Sequence, residues 1–209
     1  MAIEARTAAV GVAEHGNSAI LVTIGAANLL LDRRRVDLTH GLPTHPYHHE
    51  GSWAIGRYVD SPWARKVSLA DAIALVERVR EAAAQGARAA LDALAVSVVD
   101  PIASIALRVC PPLPSKIEAC IRDTRAASVA DSVMYREALA IAAEARGWHV
   151  HWYDREHAFR DAAAAIGESD IDAFLRAMGR AAGPPWQAKH KLAAAAAIAA
   201  LHGSLDSRA

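Results

Sequence analysis

The stretch TAAVGVAEHGNSAILVTIGAANLLLDRRRVDL, Thr7 to Leu38, decides how the rest of the chain is read. It holds three apolar runs, Ala8 to Ala13, Ala19 to Ile24 and Asn28 to Leu38, separated by His15-Gly16-Asn17-Ser18 and by Gly25. Runs rich in Val, Ile and Leu between short breaks of Gly, Asn and Ser mark adjacent antiparallel strands. The N-terminal region is therefore predicted to be a three-strand meander. Its last run carries Asp32-Arg33-Arg34-Arg35-Val36-Asp37. A strand covered in charge is the usual way an exposed edge resists pairing with other chains, although the same run could serve as a phosphate-binding strip.

Beyond the meander, helices and strands alternate. Ser68 and Asp71 form a capping box ahead of Leu69, Ile73, Val76 and Val79, which predicts a helix from about Leu69 toward Leu94, kinked or interrupted at Gly86. Ala95-Val96-Ser97-Val98-Val99 reads as a short buried strand closed by Asp100-Pro101. Ile102 to Val109 reads as one more strand before the extended turn Cys110-Pro111-Pro112-Leu113-Pro114. Ser128 with Asp131 caps a second helix that runs to Gly147. In Trp148-His149-Val150-His151-Trp152-Tyr153 the residues alternate, with the tryptophans and Val150 toward a core and His149, His151 and Tyr153 on the other face. Ser169 with Asp172 caps a short helix, and Gly183-Pro184-Pro185 leads into a final alanine-rich helix.

A chain of 209 residues can bury most of its apolar surface in one core, so a single α/β domain spanning residues 1–209 is expected, with a His- and Pro-rich loop inserted at about 39–67. The 23 basic and 23 acidic residues balance, which removes any global electrostatic drive toward nucleic acid and leaves only a local basic groove. Cys110 and Cys120 lack metal-ligand spacing, no secretory core is read at the N-terminus, and the alanine-rich stretch is too short to span a membrane. A reduced, cytoplasmic protein without a membrane partner is expected, and a homo-oligomer stays open.

The densest cluster of chemistry-capable side chains is His45-Pro46-Tyr47-His48-His49-Glu50 in the inserted loop. Long irregular stretches inside compact domains are usually functional or flexible. Bringing His45, His48 and Glu50 onto one ion would require the loop to fold back tightly, and surface histidines without a metal are the commoner outcome. The loop could also meet Asp131 or Tyr135 across the sheet edge, with Arg136 on the same helix. His149 and His151 are most simply amphipathic residues of a half-exposed strand.

The order of elements resembles the ribonuclease H-like fold, in particular its Holliday-junction resolvase branch: a three-strand antiparallel meander plus two parallel strands, with helices on both faces. The resemblance implies acids on the first strand, at the end of the fourth strand and on the last helix, holding Mg or Mn ions that activate a water toward a phosphodiester. Gly11-Val12-Ala13-Glu14 is similar to the family's first-strand pattern with Ala13 in the place of the aspartate and Glu14 beside it. Asp100 matches the fourth-strand acid and His190 the last-helix ligand. Glu14, Asp100 and His190 are therefore the implied metal ligands and catalytic residues, with Lys189 steadying phosphate. Leu42 to Gly51 and Asp131 to Arg136 also look like stretches shared by bacterial proteins without an assigned activity. Two functions follow: a domain with a degenerate active site that binds or assembles, or an active metal-dependent nuclease or phosphoesterase. A Gly-x-Gly-x-x-Gly turn and a Gly-x-Ser-x-Gly elbow are both missing from the sequence.

Overall fold

A computed structural model of the protein describes residues 7–48 and 67–206. Three strands, β1 (Ala8–His15), β2 (Ser18–Ile24) and β3 (Leu30–Asp37), form the antiparallel meander. The turn between β1 and β2 places Gly16 at φ +55°, a left-handed conformation that suits glycine. β4 (Ile102–Arg108) then lies parallel to β1, and β5 (His149–Tyr153) parallel to β4, giving one five-stranded sheet in the order β3-β2-β1-β4-β5.

Alternation along β1 divides the core. Val10 and Val12 face a cluster built by α1 (Leu69–Ser97), α2 (Ile117–Arg122) and α3 (Thr124–Glu144). Ala9 and Ala13 face a second cluster built by α4 (Ala158–Ile166), α5 (Ile171–Ala182) and α6 (Ala188–Asp206). Helices thus cover both faces of the sheet. In α6, Ala193 to Ile198 have no exposed surface, because the sheet lies on one side and α4 on the other. The approach needs alanines on the helix and no side chain at all at Gly11, where a Cβ would run into the Ala193 carbonyl oxygen.

Several sequence expectations change here. Residues 95–97 continue α1, and Val96 and Val99 are 89% and 98% exposed, so no strand occupies 95–99. The fourth strand is Ile102–Arg108, and Pro101 precedes it; the Pro101 carbonyl accepts the Ala8 N–H at 2.9 Å and so starts the ladder. Gly86 does not break α1. A Cβ there would meet the Leu38 carbonyl oxygen at 2.2 Å, so its role is close approach of the helix to the end of β3. The cap of α3 is Asp123, whose carboxylate accepts from the Arg125 and Ala126 N–H groups, which leaves Asp131 in the helix interior. On β5, Tyr153 is buried opposite the Trp148 side and donates to the Val12 carbonyl at 2.7 Å, while Trp152 is 43% exposed. Both faces of that strand are partly core.

Candidate functional site

The C-terminal ends of β1, β4 and β5 meet at one edge of the sheet, the edge where open α/β folds place their sites. A cavity of about 520 Å³ opens there, with Ala13, Glu14, His15, Thr44 and His45 among its lining residues. Four cations, Arg35, Arg108, Arg155 and Lys189, also line it, and Glu14 is the one carboxylate among its described lining residues. Two adjoining cavities share Arg108 and Arg155 on one side and Arg155 and Lys189 on the other, so the cleft continues along the sheet edge. The Lys189 ammonium is lowered from its ordinary range, chiefly by burial and further by Arg35 and Arg155, with Glu14 acting in the opposite sense. Arg35 also meets Asp37 at 3.7 Å, and the remaining cations exceed the one carboxylate that lines the cavity.

That carboxylate is already engaged. Glu14 sits on the β1 face opposite Ala13, and Arg136 of α3 reaches it with Nε and Nη2, each 2.7 Å from Oε1. The two side chains are 8% and 5% exposed, and the third arm of the guanidinium donates to the Val109 carbonyl at 3.0 Å. A pair this buried holds because each charge is matched, and removing one member would strand the other.

Two residues one turn apart on α3 dock the start of the inserted loop. Tyr135 Oη donates to the Thr44 carbonyl at 3.0 Å, and the Asp131 carboxylate accepts the Tyr47 N–H at 3.0 Å. His45 Nδ1 lies 3.5 Å from Asp131 Oδ2. Asp131 is 3% exposed, and burial raises its carboxyl to about 7 against the pull of the Tyr47 and His48 backbone N–H groups. His45, by contrast, keeps 45% of its side chain exposed at the cleft.

The structure brings together Glu14 with Arg136 and Lys189, His45 with Asp131, and Tyr135 with the Thr44 carbonyl next to His45. It does not bring Glu14, Asp100 and His190 together. Asp100 precedes β4 and lies by Gly25 and Leu31, at the opposite end of the sheet from Glu14, about 20 Å away at the rise of a strand. His190 is 7% exposed, stacks on Trp186 and accepts the Gln187 N–H on Nδ1, a local cap at the start of α6. Its ring is lowered by burial and by Arg33. His49 and Glu50 lie outside the described residues. Among the described residues no group of three or more His, Cys, Asp or Glu side chains could hold a metal ion. The donor set for Mg or Mn at Glu14, Asp100 and His190 is therefore not assembled, and the residues of the cleft do not fit those ions. Sequence reasoning missed Arg108 and Arg155 and weighed Arg35 only within the charged run 32–37; the three are far apart in the chain and join only through the strand order.

No protein-family model matches the chain, and no curated protein matches it. Among solved structures, Thermus thermophilus RuvC in complex with a Holliday-junction substrate superposes with a TM-score of 0.52 at 11% identity, covering 96% of each chain. A second Thermus thermophilus RuvC structure matches with a TM-score of 0.47 at 10% identity, again over 96% of each chain. The likeness is one of fold: the mixed five-stranded sheet with its flanking helices is ribonuclease H-like. No helix among the described residues is long and apolar enough to cross a membrane.

Proposed function

We propose that the chain is a ribonuclease H-like domain with a degenerate two-metal centre, which binds the phosphodiester backbone of nucleic acid in the cleft at the C-terminal edge of β1, β4 and β5. The observation that carries this reading is the charge of the cleft. Arg35, Arg108, Arg155 and Lys189 line it, Glu14 is held by Arg136, and Ala13 stands where a metal-bridging carboxylate would be needed. Hard divalent cations need oxygen ligands from several elements, whereas a phosphate chain needs spaced cations. The chain's neutral overall charge is compatible with this, because the excess is local.

Fluorescence anisotropy with labelled duplex and branched DNA tests the reading. If the four cations each neutralise one phosphate, the logarithm of the binding constant falls with the logarithm of salt at a slope of about −3 to −4. Arg155→Ala and Lys189→Ala should each reduce the slope by about one. No binding at low salt would overturn the binding role, and DNA cleavage that depends on Mg²⁺ or Mn²⁺ would overturn the degenerate centre.

A further inference from the structure

The cleft does not end at Lys189. Arg155, Lys189 and Leu192 are shared with a second cavity of about 450 Å³, which lies between the start of α4, the first turn of α5 and the first turn of α6. Its walls are of two kinds. Phe159, Trp186 and Leu192 are apolar and partly buried, whereas Arg155, Lys189 and Lys191 are cationic, and Asp172 is the one acid among the described lining residues. Trp186 and Lys191 in turn line a third cavity, where Arg176 and Arg180 stand one turn apart on α5 and the described lining holds no acid. Arg176 lies 4.0 Å from Asp170, but both side chains are largely exposed, so that pair neutralises little. The indole is fixed ahead of any ligand. A Cβ on Gly179 would run into the Trp186 ring, so the ring rests directly on the α5 backbone. His190 stacks on it with ring centroids 5.7 Å apart, and Arg33 holds the carbonyls of the four residues just before it.

A paired duplex keeps its bases stacked inside and presents phosphates alone, so it can use the cations of such a cavity but not its apolar walls. An unpaired strand offers both, and aromatic side chains beside a cationic groove are the usual means of holding one. We propose that the cavity between α4, α5 and α6 takes an unpaired base of a single strand leaving the cleft, with Phe159 and Trp186 against the base and Lys191, Arg176 and Arg180 along the phosphates beyond it. This rests on the phosphate-binding reading above and adds to it the class of nucleic acid, a duplex with a single-stranded extension in preference to a blunt one. The shared walls set the path: Arg155 and Lys189 carry the backbone from the cleft into the cavity, and Lys191 carries it on toward α5.

The test is anisotropy of the full chain with three labelled DNAs: a blunt duplex, the same duplex with a single-stranded tail of about ten nucleotides, and the duplex with an abasic tail of equal length, which keeps the phosphates and removes the bases. The natural tail should tighten binding at least about tenfold over the blunt duplex, and the abasic tail should fall short of the natural one by at least about fivefold. Phe159→Ala should abolish the difference between the two tails, with its folding checked by circular dichroism. The double variant Arg176→Ala with Arg180→Ala changes only exposed positions; it should weaken both tailed DNAs alike, reduce their salt slope by about 1.4 and leave the blunt duplex unchanged. A natural tail bound no tighter than the blunt duplex, or no tighter than the abasic tail, would overturn this proposal and leave the cleft reading standing. A tail preference that survives unchanged in both variants would overturn it as well. None of the three DNAs bound at low salt would overturn the cleft reading and this proposal with it.

Discussion

Asp131→Asn should make the protein more stable at alkaline pH. In the folded chain burial raises the Asp131 carboxyl from 3.8 to about 7. Each pH unit between those values corresponds to about 1.4 kcal/mol, so the ionised carboxylate opposes folding by up to about 4 kcal/mol above pH 7. The sign follows from proton counting. Between about pH 4 and 7 the folded chain holds a proton that the unfolded chain has lost, so stability falls as pH rises through this window and levels off above it. Below pH 4 both states are protonated and the term vanishes. His45 Nδ1, 3.5 Å away, offers the carboxylate a partner, which makes 4 kcal/mol a ceiling. Asparagine keeps an acceptor for the Tyr47 N–H and has no charge to desolvate. Urea denaturation of both proteins from pH 4.5 to 8 is the assay. The variant should match the parent near pH 4.5 and exceed it by about 2 to 4 kcal/mol at pH 8. A difference that does not change with pH, or a variant less stable at pH 8, would refute the reasoning.

Three further substitutions probe the frame of the cleft. Arg136→Ala should cost about 3 to 5 kcal/mol by leaving Glu14 buried and unpaired, and the double variant Arg136→Met with Glu14→Met should recover most of it in chemical denaturation. Gly11→Ala should destabilise by at least about 1 to 3 kcal/mol in thermal melts, because its Cβ meets the α6 backbone, which cannot move aside as a side-chain tip can. Arg33 donates to the carbonyls of Ala182, Gly183, Pro184 and Pro185 at 2.6 to 3.0 Å, so Arg33→Ala should raise amide exchange at the start of α6 while leaving the α1 core protected.

The meander was legible because its turns are short and chemically marked, and both β5 and α6 were found for the same reason. The strand read at Ile102 to Val109 is present as β4, but the one read ahead of it at 95–99 is not. Val96, Val98 and Val99 have strand-like side chains, but a helix already 26 residues long extends through Ala95 to Ser97 at little cost, whereas a new strand would need a partner. That error carried Asp100 to the wrong end of the sheet. α2 and α4 were not predicted; each is short, with 6 and 9 residues, and neither offers a long periodic pattern. Asp131 read as a cap because Ser128 stands three residues before it, while the acceptor that caps α3 is Asp123. Arg33 read as a solvated charge on an edge strand, since nothing local reveals carbonyls 149 to 152 residues away. The contact of His45 with Asp131 and of Thr44 with Tyr135 depends on separations of 86 and 91 residues, and only the fold brings them together.

The packing of α6 on Gly11 also sets how the cleft responds to a ligand. Where two elements meet through side chains, rotamer changes let the gap between them widen or narrow at small cost. Here peptide atoms of the helix rest on peptide atoms of the strand, and such a seam has no rotamers to exchange. Arg33 fastens the segment just before it by four hydrogen bonds. The wall that presents Lys189 is consequently held at a fixed spacing from β1, so a polyanion encounters charges already in place. Little ordering entropy is left to be lost on association, and the calorimetric signature of binding should be set by ion release and not by closure of the protein around its partner.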